Sequence, residues 1–124
     1  MFVVDLDLEP WLEPLRELRV ALDDELEGAA REGAQLIAFA ARADHPYTDR
    51  TGTLTRSIRA YAPRGSFLRD TLRADVIART PYAGYVERRV AFAYLGPAAE
   101  RSEGRLGHHL HDALEAAVRR SGLQ

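Results

Sequence analysis

Apolar or small residues recur at Trp11, Leu15, Leu18, Leu22, Leu26, Ala29, Gly33, Leu36 and Ala40, in steps of three and four throughout. Side chains three and four apart share one face of a helix, so this spacing predicts a long amphipathic helix. Pro10 or Pro14 marks its start, where a first turn does not need the amide that proline lacks, and Asp44-His45-Pro46 marks its stop. Continuous to Ala43, the helix would be about 50 Å long. A domain of this size cannot cover such a helix on all sides, so part of it is expected to meet a partner chain while its middle turns pack on the chain's own sheet.

The period then changes from three-and-four to two. In residues 53–63, Leu54, Ile58, Ala60 and Ala62 alternate with Thr55, Ser57, Arg59 and Tyr61; in 71–80, Leu72, Ala74, Val76 and Ala78 alternate with Arg73, Asp75, Ile77 and Arg79. Two strands are predicted, joined through Arg64-Gly65-Ser66-Phe67-Leu68-Arg69-Asp70 as an antiparallel hairpin with Gly65 for the turn and charge at its tip. From Gly96-Pro97 the chain turns helical again, with Leu106, Leu110, Leu114 and Ala117 on one face and Arg119-Arg120 suiting a helix C-terminus before Gly122. Gly104 and Gly107 weaken the first half of that helix. The fold class is α+β, with a long N-terminal helix and a C-terminal helix packed on a small antiparallel sheet, read as a single domain over residues 1–124.

Charge alters this picture through its placement. The net charge is −2, yet residues 1–27 hold nine acids against two arginines, whereas residues 28–105 hold thirteen arginines against eight acids. An acidic face on one subunit meeting a basic face on the next would select partner and register. With no cysteine there is no disulfide framework and no thiolate site. No apolar run approaches the length of a membrane span, and the N-terminus lacks the basic start of a signal peptide, so a cytoplasmic origin is expected. His108, His111 and Asp112 would share a helix face but complete no ligand set, and no serine lies in a G-x-S-x-G context. No enzyme, cofactor or metal is read here.

Three segments resemble a known family. Tyr47-Thr48-Asp49-Arg50-Thr51-Gly52-Thr53-Leu54-Thr55-Arg56-Ser57-Ile58, then Pro81-Tyr82-Ala83-Gly84-Tyr85-Val86-Glu87, then Tyr94-Leu95-Gly96-Pro97-Ala98 are similar, in this order, to the tail-completion or head-to-tail joining proteins of long-tailed phages. That family's pattern is a long helix, a T-G-x-L-x-x-S-I strand, a second strand, a Y-A-x-Y-V-E segment and an F-L-x-P-A entry to a last helix. This chain departs from it with Arg88-Arg89 where Gly-Thr is frequent, and with a shorter loop before Tyr94. The resemblance implies a virion protein made in the host cytoplasm. It would assemble with copies of itself into a ring, as a hexamer, at the neck between head connector and tail tube. Its partners would be neighbouring neck, connector, tail-tube or terminator proteins, with DNA only as transient cargo. A tail terminator is the near alternative.

Residue chemistry assigns roles beside the resemblance. Gly52 supplies a positive φ where a loop enters a strand, Thr51 or Thr53 can bond the local backbone, and Leu54 and Pro97 serve the fold. Subunit contacts are expected from Asp23, Asp24 and Glu27 of the acidic helix, from the outward Arg56 and Arg59, and from Tyr82, Tyr85, Glu87, Arg88 and Arg89. Tyr82, Tyr85, Phe92 and Tyr94 also suit a local core under a loop, and Tyr85 is placed there. Arg88 and Arg89, without a local opposite charge other than Glu87, should be exposed. The competing class is a small nucleic-acid-binding protein, with Arg42, Arg50, Arg56, Arg59, Arg64, Arg69 and Arg73 as a basic stripe interleaved with Tyr61 and Phe67. The acidic N-terminal helix opposes that attraction.

Overall fold

The computed structural model describes residues 3–5, 7–49, 51–66, 69, 71–89 and 91–122. Phe67, Leu68 and Asp70 of the expected hairpin tip, and Arg50 of the basic stripe, lie outside the described residues. The elements run α1 (Glu9–Ala43), α2 (Thr53–Ser57), β1 (Ile58–Arg64), β2 (Arg73–Ala78), α3 (Ala83–Arg88) and α4 (Leu95–Ser121). Two long helices pack on a two-stranded antiparallel sheet, which is the α+β arrangement expected from the periodicities.

Helix α1 has Pro10 in its first turn and Pro14 inside, and it stops where Asp44 takes an extended conformation ahead of Pro46. Helix α4 runs antiparallel to it. Arg120 bonds Asp24 and Glu25, His109 approaches Glu32, Leu106 lies over Gly33, and Arg101 donates to the Asp44 carbonyl. The buried positions of the two helices are almost all small: Ala21, Ala29, Gly33, Ala34, Ala38 and Ala41 on α1, Ala98, Ser102, Ala113, Ala117 and Ser121 on α4. A Cβ on Gly33 would meet Leu106 Cδ2 at 2.5 Å. Close approach between helices is therefore what the small residues allow.

Helix α4 corrects the expected leucine face. Leu110, Leu114 and Val118 are exposed, and the buried row runs through Ala98, Ser102, Ala113 and Ala117. At 3.6 residues per turn a row of strict fours drifts around the helix, and the step of three from Leu106 to the half-buried His109 keeps the inward row aligned where the leucine row departs. Gly104 and Gly107 do not interrupt the helix, because packing against α1 outweighs their intrinsic cost.

The strand expected from residue 53 begins only at Ile58; Thr53–Ser57 is a short helix. Leu54 and Ile58, four apart, point inward from a helix turn as well as from a strand, so the two periods coincide there. The strands pair Ile58 with Ala78, Arg59 with Ile77, Ala60 with Val76 and Tyr61 with Asp75. The Ile58, Ala60, Val76 and Ala78 face packs on the core cluster. Arg64 and Arg73 also pair, and Asp75 accepts a bond from each at 2.6 and 2.7 Å, which reconciles two like charges placed opposite one another.

Candidate functional site

The three motif segments converge on one joint at the C-terminal end of α1. Its core contains Ala38 and Ala41 of α1, Tyr47, Leu54 and Ile58 from the first segment, Ala83 from the second, and Tyr94 and Ala98 from the third. Tyr94 is 1 % exposed, meets the Tyr47 ring edge-on at 5.1 Å and donates its hydroxyl to the Ala83 carbonyl at 3.2 Å. Burial, with the nearby Glu87 charge as a smaller cause, pushes its phenol up to about 12, so the proton needed for that bond stays in place. Burial also raises Tyr47, whose hydroxyl shares a bond with Thr55 Oγ1.

Two carboxylates lock the joint. Asp49 accepts the amides of Thr55 at 2.7 Å and Gly52 at 2.9 Å, and the Thr55 amide is the leading cause of its lowered pKa. Gly52 takes φ +75°, the left-handed conformation expected of it, although the turn leads into α2 rather than directly into a strand. Thr51 accepts the Thr53 amide and receives Arg56 on its carbonyl.

Glu87 takes the amides of Tyr94, Leu95 and Gly96 at 2.8–2.9 Å. The next residue, Pro97, has no amide hydrogen, so the three donors among the four positions that open α4 are all accounted for. Burial draws the Glu87 pKa up, and the three amides outweigh it, leaving the carboxyl below its ordinary value. Pro97 sits in the first turn of α4, and Leu54 is buried in the joint. The sequence pattern marks neither Asp49 nor Glu87 as a cap. Asp49 lies close enough in sequence to Gly52 to have suggested one, whereas Glu87 acts across eight residues and only the fold brings it to α4.

The expected contact residues divide by what they touch. Arg88 and Arg89 are exposed as anticipated, and the Arg89 guanidinium lies 5.0 Å from the centre of the Tyr85 ring. Tyr85 itself is 55 % exposed and Tyr82 44 %, which corrects the placement of Tyr85 in the core. The cause is helix α3: Ala83 and Val86, three apart, face the joint, so Tyr82 and Tyr85 face out. Arg56 and Arg59 are exposed and line a cleft of about 580 Å³ with Tyr61 and Arg79, whose guanidinium lies 4.8 Å from the Tyr61 ring centre. Asp23 accepts a bond from Ser66, Asp24 pairs with Arg120, and Glu27 with Arg31.

The basic stripe is divided in the same way. Arg42 donates to the Ile58 carbonyl, Arg56 to the Thr51 carbonyl, and Arg64 and Arg73 share Asp75. His109 lies 3.3 Å from Glu32 and His111 3.1 Å from Glu115. Among the described residues no three His, Asp or Glu side chains converge as metal ligands.

At the opposite end, the first buried residue of α1 is Ala21, level with the end of α4. The first two turns of α1 are exposed apart from the half-buried Pro14, and Arg120 near the end of α4 shares a cleft with Glu13, Arg16, Glu17, Val20 and Ala21. Those two turns carry Trp11 at 57 % exposure and Leu15 at 51 %, with Leu8 and Leu12 also exposed.

A search of curated proteins and a search of solved structures find no match to the chain. Residues 12–88 match the HK97-gp10-like family, described as "Bacteriophage HK97-gp10, putative tail-component". The chain belongs to this family. The HK97-gp10-like region spans most of α1, the first two segments of the joint, the two strands and α3, and it ends at Arg88, so Tyr94, Ala98 and the rest of α4 lie past it. The family agrees with the resemblance to phage tail-completion proteins read from the three segments. This HK97-gp10-like chain is a structural component of a phage tail, and hence of a virion. No helix among the described residues is long and apolar enough to cross a membrane.

Proposed function

We propose that the chain completes a phage tail by assembling with copies of itself into a ring at the neck, where it joins neighbouring connector, tail-tube or terminator proteins. The observation that carries this reading is the division of labour along α1. The family's motif residues build an internal joint at one end, while at the other an amphipathic helix segment has its apolar side in solvent. A helix gains most of its stability from packing that side, so the uncovered first two turns are what an assembly subunit offers a neighbour. The outward Arg56 and Arg59, and the α3 face with Tyr82, Tyr85, Arg88 and Arg89, are the matching candidates for contact. Asp23, Asp24, Glu27 and Glu87 have partners within the chain and would contribute to such contacts only secondarily.

The mechanism needs no chemistry on a substrate. DNA would pass through the lumen as cargo, unhindered by a chain of net charge −2. Light scattering coupled to size exclusion, with class averages of the particle, tests the reading: a closed annular oligomer is expected, and a chain that stays monomeric at every concentration overturns it.

A further inference from the structure

The first two turns of α1 and the outer face of α3 have complementary chemistry and lie at opposite ends of the molecule. At the first, Leu8, Trp11, Leu12 and Leu15 fall at i, i+3, i+4 and i+7, one apolar stripe continuing the face that packs on α4 further along. Glu9 flanks this stripe next to Leu12, and Glu13, one turn on, lies on the same side of the helix but further round towards its polar face. Between residues 3 and 17 there are five acids and one arginine, Arg16, which sits 3.6 Å from Glu13 in an exposed pair.

At the second, Tyr82, Tyr85 and Phe92 present their rings to solvent beside Arg88 and Arg89. Residues 76–99 contain three arginines and a single acid, Glu87, whose carboxylate is already bonded to three amides at the start of α4. The positive charge of this face is thus not balanced locally. Tyrosine with arginine is the combination enriched at the centres of protein interfaces.

We propose that the first two turns of α1 in one copy lie on the Tyr82, Tyr85 and Phe92 face of the next, with Glu9 and Glu13 directed at its Arg88 and Arg89. The two surfaces are separated by roughly the length of α1, about 50 Å, and α3 packs at the far end of that helix through Ala83. No chain can close this contact on itself. Two different surfaces joined head to tail form a heterologous interface, the kind that closes into a ring when the rotation per copy permits. This proposal rests on the ring reading and names the contact within it.

A charge exchange tests it. One variant carries Glu9→Arg and Glu13→Arg, the other Arg88→Glu and Arg89→Glu; all four positions are exposed, so each variant should melt with the unmodified chain. Each alone should elute as a monomer where the unmodified chain is assembled, because every contact sets like charges together. Mixed in equal amounts they should recover the assembled peak, since the start of each α1 then finds an opposite face. Assembly of either variant alone, or no recovery on mixing, overturns this contact while leaving the ring reading in place. A monomeric unmodified chain overturns the ring reading and this contact together. If a reversed variant fails to fold, Glu9→Gln with Glu13→Gln and Arg88→Gln with Arg89→Gln replace the pair, and assembly unchanged in both overturns the contact.

Discussion

Tyr94 and Tyr85 are nine residues apart, and the fold treats them oppositely. Tyr94 packs against Tyr47, Leu54 and Ile58 and donates to a backbone carbonyl, so Tyr94→Ala leaves both a void and an unpaired acceptor. A loss of about 3–5 kcal/mol in urea unfolding is expected, against less than about 0.5 kcal/mol for Tyr85→Ala, whose ring is largely in water. Equal losses would show that the joint is not centred on Tyr94. Gly52 offers a second residue-scale test. At φ +75° a side chain is strained whatever the space around it, and a Cβ would also stand 3.3 Å from Arg56 Nη1. Gly52→Ala should cost about 1–2 kcal/mol, seen as an earlier melting transition; an unchanged transition would mean that the turn can rearrange.

Between elements, Glu87 ties α3 to the start of α4. Its carboxyl titrates below its ordinary value of 4.5 in the folded chain. A carboxyl of this kind adds stability above the unfolded value, and that stability disappears as pH falls through the lower folded value. Glu87→Gln keeps the size and removes the charge, with a loss near neutral pH in the range of about 0.5–2 kcal/mol typical of helix caps. The difference between the two chains should be full above pH 4.5 and shrink progressively in more acid solution. A difference that grows towards acid pH would contradict the capping role.

The acids of residues 1–27 lie at one end of α1 and the arginines of α2 and α3 towards the other, while the hairpin connection brings Ser66 and Arg69 to Asp23, and Arg120 of α4 meets Asp24 and Glu25. Contacts between exposed charges are screened within about 8–10 Å at physiological salt, so assembly through these ends should weaken as salt rises. Sedimentation at low and high salt checks this, and assembly indifferent to salt would favour a wholly apolar contact. Flow-through on heparin is expected as well, because the arginines that share Asp75 or donate to carbonyls are divided among local partners and the acidic part of α1 opposes a polyanion. Retention of a monomer to high salt would favour the nucleic-acid reading.

Periodicity alone determined the long first helix, the antiparallel strand pair and the α+β class, because each rests on repeats local to a segment: three and four for α1, two for the strands. The ordered motif segments likewise carry the resemblance to phage tail-completion proteins, since each is a run of neighbouring residues. Tertiary structure decided what no repeat encodes. Tyr85 faces out because α3 is a helix whose inward positions are Ala83 and Val86. Leu110 and Leu114 face water because the close fit of α4 on α1 follows the small residues. Glu87 became a cap because folding carries it to amides seven to nine residues away. Burial of one face is a property of a neighbour's position, and a pattern along one chain specifies which residues can be buried together without specifying which neighbour arrives.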